Sequence, residues 1–294
     1  MGLVKQGKLF CIILIHINVV FMCESLDIDT CDVMENKASL LHRHSWTMYQ
    51  YKDLNKQKIN TFFKHVFEDI FNTGKYLFTT DSLKVLTWTM PLYISARFAD
   101  NKIHSVFYDD ATHTNRNQIP GSWNNIILKD QYTAIPYVLY GSLGFMRSND
   151  EKRREAQIFM TGLGWVFTLK YIVKEILPFD ANLRPFNENF PKQYVYGGAP
   201  SGHTAMAVFM TTYLSCVEGV KGGLPMGIFS FLVAGLSITT NTHFLSQVIA
   251  GAGIGVFVGL ASARVLSQWQ NDRFELSLVS ENKGRVGMRC AWNF

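Results

Sequence analysis

Charge is the scarcest ingredient of this sequence: only 17% of its 294 residues are Asp, Glu, Lys or Arg, while 48% are hydrophobic. That is little charge for a chain that must cover its surface in water. The apolar residues gather in helix-length runs rather than in short alternating strands. This favours an all-α helical bundle, in a membrane or around an unusually apolar core. The net charge of +5 is small and scattered, so the basic footprint of a nucleic-acid-binding protein is missing. Cysteine is sparse as well. Outside the first 25 residues only Cys31, Cys216 and Cys290 occur, too far apart for a zinc site or a disulfide framework. A single Cys31–Cys290 bridge stays open, and Cys216, inside an apolar run, reads as a small core residue. No internal repeat and no low-complexity linker divides the chain.

Taken in order, residues 1–25 read as a secretory signal peptide, with an uncleaved anchor as the alternative. Lys5 and Lys8 precede an apolar stretch from Leu9 to Met22, and Cys23 and Ser25 suit cleavage after Ser25. Residues 26–79 form an N-terminal extension. Its second half carries Ile59, Phe62, Phe63, Val66, Phe67, Ile70 and Phe71 at helical spacing, an amphipathic helix expected to pack on the bundle. Thr80-Asp81 starts a helix that runs to about Phe98, with a kink expected at Pro91. Residues 99–130 are polar and irregular, a surface excursion or a pocket-shaping loop. Helical patterns follow at 131–147, 156–176, 203–219, 225–240 and 243–266. The joints are Arg147 to Arg154, Pro178 to Pro200, and Gly222-Gly223-Leu224-Pro225. Residues 80–266 are thus one domain of about six main helices, and 267–294 a polar tail. Gly251, Gly255 and Gly259 recur every fourth residue, a spacing that lets two helices approach closely.

The stretch Gly197-Gly198-Ala199-Pro200-Ser201-Gly202-His203-Thr204 carries the chemistry. Ser201 stands at the N-cap position of an apolar helix. The N–H groups of Gly202 and His203 then open from the helix end with the dipole behind them, an anion site by construction. Ser201 adds a hydroxyl and His203 a titratable proton for a leaving oxygen. If the helices run up and down, Lys174, Arg184 and His243 arrive at this same end. Two cations, N–H donors and two histidines suit a phosphate monoester in transfer.

With Lys174 and Arg184-Pro185, Pro200-Ser201-Gly202-His203, and His243 to Gln247, the sequence resembles the type 2 phosphatidic acid phosphatases. These are relatives of bacterial acid phosphatases, glucose-6-phosphatases and vanadium haloperoxidases. The resemblance covers roughly residues 80–266 and implies a helical fold with a metal-independent phosphatase site that needs no cofactor. It implies His243 as the nucleophile forming a phosphohistidine, with Gln247 orienting it. His203 is implied as the acid that protonates the leaving group, and Lys174, Arg184, Ser201 and the Gly202 N–H as the holders of the phosphoryl oxygens. The expected substrate is a lipid phosphate or another small phosphomonoester.

Three positions depart from the family pattern. Nine residues separate Lys174 from Arg184 where six are usual, so the turn must bulge, and Lys170 one turn earlier is a second candidate cation. Ser237 stands where an arginine belongs, six residues before His243. Gln247 replaces an aspartate and offers the imidazole an acceptor without charge. The loss of the arginine raises a second reading, a degenerate member that binds phosphorylated ligand without turnover. The leader points to the cell envelope, in the membrane or the periplasm, with the site facing outward. Arg147 and Lys152-Arg153-Arg154 mark the opposite end as cytoplasmic if the helices span. Counted back, however, the helix at 81–98 would then have to start in the cytoplasm, which a cleaved leader does not allow.

Overall fold

The computed structural model describes residues 63–116, 130–147, 149–186, 195–272, 274–281 and 285–292. The expected signal peptide, the polar part of the extension and Cys31 lie outside the described residues. The chain is mostly helical: α1 (63–77), α2 (Thr80–Phe107), α3 (Asp130–Met146), α4 (Asp150–Ile176), α5 (Gly202–Glu218), α6 (Val220–Thr239) and α7 (Leu245–Asp272). Two short strands, β1 (Tyr108–Asp109) and β2 (Thr114–Asn115), pair antiparallel after α2. β3 (Phe274–Glu281) and β4 (Arg285–Trp292) pair antiparallel at the end, with Phe274 opposite Trp292. The polar tail therefore contains a hairpin. α4, α6 and α7 are long and apolar enough to cross a membrane.

The described residues fall into two compact units, one holding 63–67 and those within 139–157, the other holding those within 68–138 and from 158 onward. In the first, the end of α3 lies against the start of α4, where Gly144 meets the Ala156 Cβ. Asn149 Oδ1 accepts the Glu151 N–H at 2.8 Å and opens α4, while Asp150 and Glu151 occupy the first turn. A side-chain acceptor and negative charge are what a helix start favours. The charged run 150–154 is consequently helix rather than joint, and α4 begins six residues before the expected 156.

The second unit is built on α5, which packs between α6 and α7, while α2 covers α7. Phe159, Phe209 and Tyr213 form its aromatic centre, with ring centroids 5.2–6.1 Å apart. The α5–α7 contact is as close as the glycine spacing predicts. A Cβ on Gly255 would stand 2.6 Å from the Ala205 carbonyl and 2.7 Å from the Phe209 nitrogen. Gly251 abuts the Ser201 carbonyl and Gly259 the side chain of Thr212. Across α5–α6, Thr211 and Ser230 share a hydroxyl hydrogen bond of 2.7 Å.

Four local expectations change. α2 continues through Pro91 to Phe107, so the irregular stretch begins later than residue 99. Gly219, at φ 66°, is the joint between α5 and α6, whereas Gly222, Gly223 and Pro225 lie inside α6. Only glycine enters that backbone region without penalty. Cys216 is exposed rather than core. The aromatic stripe of α1 points outward, with Phe67 and Phe71 68% and 73% exposed, while Asp69 and Thr73 are fully buried. The reason is the docking contact: Gly74 admits the Trp165 ring, and Trp165 Nε1 donates to the Ile70 carbonyl at 3.0 Å.

Candidate active site

Between Lys174 and Arg184 the chain leaves α4, makes the 3-10 turn Phe179–Asn182 and returns. Asn182 organises this bulge. Its buried Nδ2 lies within hydrogen-bond distance of the Lys174, Leu177 and Pro178 carbonyls at 3.0, 3.2 and 3.3 Å. Those carbonyls end α4 or lie just beyond it, where helices lack intrahelical partners. The Asn182 carbonyl in turn accepts the N–H groups of Gly197 and Gly198 at 2.9 and 2.7 Å. One residue thus joins the bulge to the glycine loop. A Leu183–Tyr196 bridge, and the Arg184 N–H on the Val195 carbonyl at 2.8 Å, continue the join.

Gly197 has φ 106°, which turns the chain toward the start of α5, and the Ala199–Pro200 peptide is cis. Ser201 occupies the N-cap position, as the sequence indicates, with its hydroxyl paired to Thr204 Oγ1 at 3.0 Å. The first intrahelical bond runs from Ala205 N to Ser201 O at 3.0 Å, so the Gly202, His203 and Thr204 N–H groups precede the ladder.

His243 arrives from the turn between α6 and α7. Ser237, fully buried, accepts the N–H groups of both Thr242 and His243 at 3.0 Å on its carbonyl, and its hydroxyl turns back to the Val233 carbonyl at 2.7 Å. Asn241, at φ 53°, makes the turn and anchors it on the Phe107 carbonyl and on Asn115 Oδ1 at 3.2 and 2.8 Å. Asp100 of α2, buried, then receives Ser246 N at 3.0 Å and Ser246 Oγ at 2.5 Å, which fixes the start of α7.

Within this frame His243 Nδ1 lies 2.7 Å from the Gly198 carbonyl. A carbonyl can only accept, so Nδ1 carries the proton and Nε2 holds a lone pair. Burial, then the Arg184 guanidinium and His203 alongside, disfavour the imidazolium and lower the His243 pKa to about 3. Bonds to the Gly198 carbonyl and, more weakly, to Gln247 oppose that shift without cancelling it. The Gln247 side chain is mainly engaged elsewhere. Its Oε1 accepts Phe244 N at 3.2 Å, and its Nε2 donates to the Ala181 and Leu183 carbonyls at 3.1 and 2.7 Å. It also fills the space where a Gly198 Cβ would be, 2.7 Å from both amide atoms. Gln247 therefore ties together the bulge, the glycine loop and α7, and supports the carbonyl that orients His243.

The structure brings Arg184, His203 and His243 within electrostatic reach of one another and sets Gly198 between His243 and Gln247. Arg184 Nη2 also reaches the Gly197 carbonyl at 3.5 Å. The Lys174 ammonium lies beside Gly197 and 4.7 Å above the Tyr196 ring, while Lys170 extends along Gly202 with its ammonium 5.8 Å from the Tyr171 ring. Asn182 and Asp100 were not singled out from the sequence. An asparagine inside an over-long turn is a signal for the first; Asp100, read with the polar stretch 99–130, carries none.

Residues 156–272 match the family model described as PAP2 superfamily. Among solved structures, the chain is similar to the first transmembrane PAP2 type phosphatidylglycerolphosphate phosphatase from Bacillus subtilis. That likeness has 14% identity and a TM-score of 0.45, covering 66% of this chain and 98% of the other. A second likeness is to Aquifex aeolicus LpxE, with 20% identity and a TM-score of 0.33, covering 51% and 97%. No curated protein sequence matches the chain. The matched segment runs from near the start of α4 to the end of α7 and contains Arg184, Ser201, His203, His243 and Gln247, so these residues lie in a segment similar to the PAP2 superfamily.

Proposed function

We propose that the chain is a metal-independent phosphomonoesterase working through a phosphohistidine. The observation that carries this reading is His243 itself: buried, neutral, with Nδ1 held by the Gly198 carbonyl and Nε2 left as a lone pair. In the proposed first step Nε2 attacks phosphorus and the bond to the leaving oxygen breaks, with a proton from His203 going to that oxygen. His203 then takes a proton from water, whose oxygen attacks phosphorus. Phosphate leaves, and the electron pair returns to Nε2. Arg184 and the N–H groups at the start of α5 supply charge and donors for the phosphoryl oxygens.

A lipid phosphate suits the surroundings. Ile176, Phe179 and Tyr196 are exposed beside the bulge, with the Phe179 and Tyr196 rings stacked at 5.5 Å, an apolar rim for an acyl-bearing alcohol. Three helices of membrane-crossing length support placement in a membrane. The basic start and the site end of α4 lie at opposite ends of one helix of 27 residues, which supports a site facing outward from the cell envelope.

One observation favours a second reading. Ser237 removes a guanidinium from the site, and its hydroxyl is engaged with its own helix. Such a chain would bind phosphorylated lipid without turnover. The test is phosphate release from phosphatidate, pyrophosphorylated lipid and small phosphomonoesters by wild-type and His243→Ala protein in chelator. Release by wild type alone supports the phosphatase. Orthovanadate binding with no release supports the binder.

A further inference from the structure

We infer that α2 is a brace for the phosphate site, its Arg97, Asp100 and His104 setting how far Arg184 stands from His243. This rests on the phosphatase reading above and adds positioning residues to it, on a helix outside the matched segment 156–272.

Arg97, Asp100, His104 and Phe107 follow one another at three, four and three residues, so they share one face of α2. That face holds two stretches of chain. The first carries Arg184. Ahead of it, Asp180 Oδ2 accepts Arg97 Nη2 at 3.0 Å, and behind it the Phe186 carbonyl accepts His104 Nε2 at 3.1 Å. The second carries His243. Ahead of it, Asn241 Nδ2 donates to the Phe107 carbonyl, and behind it Asp100 accepts the N–H and hydroxyl of Ser246. The His104 ring also meets the Phe186 and Phe244 rings edge-on, with centroids 6.3 and 5.8 Å away. Arg97 joins the two holds, because its Nη1 lies 3.5 Å from Asp100 Oδ2.

Each loop is therefore fixed on both sides of its site residue to one helix. The long turn between Lys174 and Arg184 gives that hold a task, since more chain leaves Arg184 more freedom to drift. A guanidinium on a phosphoryl oxygen and a nitrogen facing phosphorus must keep their separation, and a slip of about 1 Å can cost on the order of a hundredfold. Arg97 and Asp180 are 31% and 73% exposed, and exposed ion pairs add little to global stability. Their effect belongs to the geometry of the bound anion.

The experiment uses the full chain in detergent: wild type, Arg97→Met, Arg97→Lys and Asp180→Asn, each with helical content and elution volume recorded. Hydrogen exchange is followed in 180–186 and 241–247, and the binding of orthovanadate and of inorganic phosphate is measured. Orthovanadate accepts a fifth ligand and so reads the separation of the His243 nitrogen and Arg184, whereas phosphate needs only the groups that hold its oxygens. Arg97→Met should speed exchange in both stretches and weaken orthovanadate by about tenfold to a hundredfold, with a clearly smaller loss for phosphate. Arg97→Lys should recover part of the difference. Asp180→Asn, on an exposed side chain, removes the same link to the turn and should shift the two anions in the same sense; it decides the matter if Arg97→Met does not fold. Wild-type exchange in both stretches, or equal weakening of the two anions, overturns the brace. Binding of neither anion by wild type overturns the phosphate site instead, and exchange alone then decides the brace.

Discussion

His243 is neutral because it is buried beside Arg184 and His203, and this has a measurable consequence. An ordinary histidine takes up its proton near pH 6.5, whereas the folded-state value here is about 3. The ring should stay neutral, with the proton on Nδ1, down to at least pH 5. Nitrogen NMR of histidine-labelled protein checks this: a ring signal that stays neutral over this range should vanish in His243→Ala. The sign for stability follows. Above pH 6.5 neither state binds this proton; as pH falls from there toward 3 only the unfolded chain does, and stability is lost by up to about 1.4 kcal/mol per pH unit. Asn182 is the second residue whose role is steep. In Asn182→Asp the donor facing three carbonyls becomes an acceptor, which should cost about 1–3 kcal/mol and, by loosening Gly197 and Gly198, lower orthovanadate affinity too. A variant with wild-type melting and binding would show that the bulge is held by other contacts.

Among the elements, α5 and α7 are joined by backbone proximity rather than by large side chains, so the cost of enlarging a glycine depends on where it faces. Gly255→Ala should destabilise by at least about 1–3 kcal/mol, because its Cβ meets the backbone of α5. Gly235→Ala, with nothing within 4 Å, should be neutral or raise the melting temperature slightly. Equal melting shifts for the two variants in detergent would contradict the packing described. That contact was legible in the sequence because a four-residue spacing of glycines has one geometric meaning on a helix. The approximate extents of α5 and α7 and the Ser201 N-cap were legible for the same kind of reason, since each is written in local pattern. What stayed hidden was non-local. No pattern in residues 63–78 distinguishes a stripe that faces the core from one that faces outward. The answer lies in Trp165 meeting Gly74, ninety-one residues away. The roles of Gln247 and Asn182 were hidden likewise, because each depends on carbonyls brought in from other loops.

For the whole molecule, the outward aromatic face of α1 and three membrane-length helices make one expectation. The expressed chain should sediment with membranes through alkaline carbonate washing and come free only in detergent; recovery in the carbonate supernatant would contradict it. Ser237 bears on what this turn tolerates. The turn that carries His243 is moored to the Ser237 carbonyl, an atom that every amino acid supplies. A substitution at 237 therefore keeps the backbone hydrogen bonds that seat the histidine, and what limits it is the room around a fully buried side chain.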